Sequence, residues 1–72
     1  MAASNYDVNL QLALATTAEH EGDLDAALAF LAEADRVARE EREARAQVHW
    51  FTAHFRARQR TREALRLFAA VL

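Results

Sequence analysis

The chain has 72 residues, 53% of them apolar, a net charge of −2 and no cysteine. That is material for one small domain, since domains usually run to about 100–200 residues. It excludes a disulfide framework, a thiolate metal centre and a cysteine nucleophile, and no stretch approaches the ~18 uninterrupted apolar residues of a helical membrane span.

One glycine, no proline and 18 alanines make a helix composition that leaves little for the turns of an all-β fold, so the expected class is all-α. Charge is divided along the chain. Residues 1–35 carry seven acids and no arginine, whereas residues 36–72 carry nine arginines against four glutamates. The two halves can neutralise each other within the fold or between neighbours. Nucleic acid is not an expected partner, because its binders are normally basic overall. The opening MAASNYDVN lacks a basic stretch followed by an apolar run, so a cytoplasmic protein without a membrane partner is expected.

In chain order, a first helix begins after Ser4 or Asn5, with Ser4 and Asp7 at capping-box spacing. Leu10, Leu14 and Ala18 form its buried stripe, with Ala15 and Thr17 beside it. Gly22 ends that helix and Asp23 caps a second, whose stripe is Leu24, Leu28 and Leu31 with Ala27, Ala34 and Val37. The polar run after Val37 fits either a turn near residues 38–42 or one unbroken helix from about 24 to 58. The turn is favoured, because an unbroken helix would leave a bare polar middle with no domain to bridge. A third helix carries Val48, Phe51, Thr52 and Phe55 on one face and Trp50 nearly opposite, with Ala46, Ala53, His54 and Ala57. A turn at Gln59–Thr61, with Thr61 as N-cap, leads to a fourth helix striped by Leu65, Phe68 and Leu72 and by Ala64, Leu67 and Val71. The expectation is a single domain, residues 1–72, of four helices in two stacked antiparallel hairpins at about 6–38 and 41–72.

The segment Leu14-Ala15, Ala18, Gly22-Asp23-Leu24-Asp25, Ala27-Leu28, Leu31, Ala34 resembles a tetratricopeptide repeat over about residues 10–38. Ala27-Leu28, Leu31 and Ala34 recur as Ala64-Leu65, Phe68 and Val71 at a period of 37, against 34 in that family, and Gln59-Arg60 stands where the family has Gly-Asp. The resemblance implies a tetratricopeptide-like hairpin pair that binds a protein or peptide in a concave groove lined by the first helix of each hairpin. It would set Asn9, Leu12, Thr16 and His20 beside Ala46, His49, Ala53 and Arg56. The lysine-rich carboxylate clamp of chaperone-binding members has no counterpart in a chain without lysine. A second resemblance, to small bacterial helical proteins, rests on Gly22-Asp23-Leu24 and Val48-His49-Trp50 and implies no function.

His20, His49 and His54 are the residues that could suggest metal or acid–base chemistry. His49 and His54 stand five apart, so they cannot chelate one ion from one helix face. No metal site, cofactor or catalytic constellation is expected, and the chain reads as a non-enzyme. Arg56, Arg58, Arg60 and Arg62 alternate around the anticipated turn, where they could bind an anion or balance the acidic half. Trp50 is the expected centre of a partner surface, and Leu65, Leu67, Phe68, Val71 and Leu72 that of a homo-oligomer interface. The leading expectation is a self-associating protein-interaction module. The alternatives are a small ligand- or metal-binding protein using the three histidines and the arginine cluster, or a small regulator that blocks a macromolecular partner.

Overall fold

In the computed structural model, which describes residues 5–39 and 41–71, the described residues form three α-helices: α1 Asn5–His20, α2 Leu24–Ala38 and α3 Arg42–Val71. α1 and α2 pair as a tight antiparallel hairpin, and α3 lies across both. The expected capping box at Ser4 falls outside the described residues.

The hairpin turn follows from two adjacent residues. Gly22 takes φ +78, a conformation that disfavours any side chain. Its N–H bonds the Glu19 carbonyl at 3.0 Å while that of Asp23 bonds the Ala18 carbonyl at 2.9 Å, which closes α1 with a Schellman motif. Asp23 then opens α2, its Oδ1 accepting the Ala26 N–H at 3.0 Å. The second break falls between Ala38 and Arg42, inside the range where a turn was favoured. Arg39 supplies it at φ 53, ψ −124, a conformation better suited to glycine.

The anticipated turn at Gln59–Thr61 does not exist, and this overturns the arrangement of four helices in two stacked hairpins. α3 runs unbroken for 30 residues. Two causes are visible. Thr61, expected to cap a fourth helix, instead donates its hydroxyl to the Ala57 carbonyl at 3.1 Å within α3. In addition, Arg58, Gln59 and Arg62 all reach one carboxylate, Glu19, which requires helical spacing through residue 62.

The core keeps Ala15, Ala18, Ala27, Leu31, Ala34, Val48 and Phe55 of the anticipated stripes but not Leu10, Leu14, Leu24 or Leu28. In α1 the buried positions are Val8, Leu12, Ala15 and Ala18, whereas Leu10 and Leu14 remain 43% and 36% exposed. α1 carries large apolar residues on two nearly opposite sides, and Val8 and Leu12 rather than Leu10 and Leu14 join Ala15 and Ala18 in the core. In α2 the core is Ala27, Leu31, Ala34 and Ala38, with Leu24 and Leu28 left open. α3 contributes Ala44, Val48 and Phe55, and Phe51 packs at the edge. Asn9 accepts a hydrogen bond from Gln47 at 2.9 Å and ties the start of α1 to α3.

Beyond Gln59 every described residue of α3 is exposed. The molecule therefore measures 54 × 20 × 13 Å with a radius of gyration of 14.1 Å, against about 11 Å for a compact chain of this length.

Candidate functional site

Three features bring chemistry-bearing side chains together. The first is Glu19, 5% exposed near the end of α1. Arg58 grips its carboxylate with two hydrogen bonds, from Nε at 3.0 Å and Nη2 at 2.9 Å, and Gln59 Nε2 adds a third at 2.7 Å. Arg62 stands 3.9 Å away. The Arg58 hydrogen bonds hold the Glu19 carboxyl below its ordinary pKa against the opposing effect of burial, and the charges of Arg58 and Arg62 add to them. This is a clamp between α1 and α3 in which both carboxylate oxygens accept hydrogen bonds.

The second feature is an open groove of about 620 Å³ between α2 and α3, floored by Leu24, Leu28 and Ala53 and edged by Arg56, Gln59 and Arg60. It continues past Leu31 towards Asp35 and His49, where His49 Nε2 lies 3.5 Å from Asp35 Oδ1. The four alternating arginines thus serve two places. Arg58 and Arg62 turn to Glu19, and Arg56 and Arg60 line the groove.

The third feature is the outer face of α3, directed away from the hairpin. Trp50 is 62% exposed and tilts against His54 at a ring-centroid distance of 4.1 Å. Eighteen residues, or five helical turns, separate Trp50 from Phe68, so the two share one side of the helix. Phe68 is 64% exposed, Leu65 63% and Val71 85%. Between the two aromatics the same side presents Ala53, Ala57, Thr61 and Ala64, with Ala46 before them, all exposed and none charged. Thr61 adds no unmet polar group, because its hydroxyl is bonded inside the helix.

The residues expected to share a binding groove are dispersed. Leu12 belongs to the core, and Thr16 is half-buried with its hydroxyl bonded to the Leu12 carbonyl at 3.0 Å. His20 is exposed at the end of α1. Ala46 and Trp50 share the outer side of α3, Ala53 stands at the border between that side and the α2–α3 groove, and His49 and Arg56 face α2. Of the expected oligomer surface, Leu65, Leu67, Phe68 and Val71 are exposed, and Leu72 lies outside the described residues. Among the described residues no group of three or more His, Cys, Asp or Glu side chains is placed to hold a metal ion. A shorter apolar patch, Tyr6, Leu10 and Leu14, lies on the outer side of α1.

Glu19 is the residue that sequence reasoning missed. It follows Val8, Leu12 and Ala15 at helical spacing, and that register marks it as a carboxylate on the buried stripe, one that needs a cationic partner. No protein-family model, curated protein or solved structure matches the chain. No described helix is long and apolar enough to cross a membrane.

Proposed function

We propose that the protein is a non-enzymatic interaction module whose docking surface is the outer face of α3. One observation carries this reading: an uncharged, exposed strip from Ala46 to Val71 with aromatic anchors at Trp50 and Phe68. Tryptophan is enriched among residues that dominate binding energy, and exposed apolar strips of this extent mark interaction sites. Its first half lies on the part of α3 that packs against the hairpin, so ordering on binding is confined to the projecting segment 60–71.

A photo-crosslinking amino acid placed singly at Trp50, Phe68 or Arg45 tests the reading in cells that make the protein. Covalent protein adducts are expected from positions 50 and 68 and far fewer from position 45, which lies about a third of a turn round the helix from the strip. Equal adducts at all three positions, or none, would remove the reading.

A further inference from the structure

We infer that the occupant of this face is a second copy of the chain, packed antiparallel through α3 about a two-fold axis at Ala57. The inference rests on the proposed docking role of the strip and names its partner.

The strip is self-complementary. Ala46, Trp50, Ala53, Ala57, Thr61, Ala64 and Phe68 are spaced 4, 3, 4, 4, 3 and 4 residues apart, a series that reads the same from either end. An antiparallel two-fold at Ala57 therefore brings each of these seven residues level with one of the same seven in the other copy. The pairs are Ala46 with Phe68, Trp50 with Ala64, Ala53 with Thr61, and Ala57 with itself. Each aromatic ring meets an alanine and small residues meet at the centre, the alternation that lets two helices interdigitate. A two-fold interface requires this kind of patch, the same on both copies and matched to itself.

The position of the axis within α3 agrees. Ala57 lies at the midpoint of Arg42–Val71, so the two helices overlap along their whole length of about 45 Å. The projecting segment 60–71 of each copy then covers Trp50 and Ala46 of the other. The α1–α2 hairpin of each copy packs on the Ala44, Val48 and Phe55 side of α3 and reaches the strip only at its edge, where Ala53 borders the groove to α2. The area is that of a small interface, just above the floor of about 1,000 Å² for a biological contact. At 62% and 64% exposure, Trp50 and Phe68 each keep roughly 100–150 Å² open to a partner. With Leu65, Val71 and the small residues, a pair of copies would bury about 1,100 Å² in total, close to the lower limit for specific interfaces.

The test uses the absence of native cysteine. Sedimentation equilibrium of the wild-type chain at tens of micromolar is expected to give twice the monomer mass. The A57R variant is expected to give the monomer mass with unchanged helicity, because Ala57 is exposed and arginine is a good helix former. Under mild oxidation A57C is expected to form a disulfide-linked dimer, and A53C mixed with T61C to cross-link more than tenfold faster than A53C alone. A wild-type monomer at that concentration, a dimeric A57R variant, or efficient self-linking of A53C, which signals parallel pairing, would each overturn the inference. If the wild type is monomeric while the photo-crosslinker at Trp50 still captures another protein, self-pairing fails and the docking surface stands. If neither occurs, both fail.

Discussion

At the scale of single residues, Glu19 joins sequence to architecture. Its carboxylate is buried, and Arg58, at 44% side-chain exposure, can rehydrate if the pair is broken. E19Q is therefore expected to cost about 1–3 kcal/mol, set mainly by lost charge-assisted hydrogen bonds, and thermal unfolding at neutral pH measures it. The pH dependence has a definite sign. Because the native pKa lies below the ordinary glutamate value, the native state binds fewer protons than the unfolded chain as pH falls between the two. The contribution is complete above the ordinary glutamate range and is lost as pH drops through the lowered native value. The melting temperature of wild type should fall more steeply than that of E19Q between pH 5 and 3, and parallel slopes would contradict the clamp. Glu33 is also held below its ordinary value, first by its hydrogen bond to Arg36, but it is an exposed neighbour pair common to both proteins, so the difference isolates Glu19.

At the scale of elements, the two turns differ in how well their residues suit them. A Cβ added to Gly22 meets nothing within 4 Å, so G22A is opposed by backbone conformation alone and should lower stability by about 1–2 kcal/mol. Arg39 also holds a positive φ, with ψ −124, without glycine's freedom, and R39G should raise stability by about 1 kcal/mol. Chemical denaturation of the two variants against wild type checks both signs. The first turn was legible in Gly22-Asp23 because glycine and a capping aspartate have few other uses in adjacent positions. The second was legible only as a loss of apolar pattern and a change in charge sign. The turn anticipated at Gln59–Thr61 had no comparable mark: neither glycine nor proline stands there, and its arginines are good helix formers. A threonine can cap a helix or bond back within one, and its sequence position does not choose. The tie to Glu19, some forty residues earlier in the chain, decides it.

At the scale of the whole molecule, the all-α class was readable from composition, and the exposure of Trp50 from its place opposite Val48 and Phe55. The buried side of α1 was not, since Leu10–Leu14 and Val8–Leu12 offer equivalent stripes and only tertiary packing chooses between them. The continuity of α3 unites what the sequence presented as two surfaces, the Trp50 patch and the apolar last segment. They become one strip with a matching centre. The projecting segment 60–71 is twelve residues long, at the lower end of the ~12–15 residues below which helices without tertiary packing are marginal in water. It should fray in a lone chain and be held when a second copy lies along it. Amide hydrogen exchange over residues 60–71, followed from about 1 µM to several hundred micromolar, therefore bears most directly on the central claim. Protection that rises with concentration in step with burial of Trp50 is the predicted result, and exchange of that segment independent of concentration would contradict it.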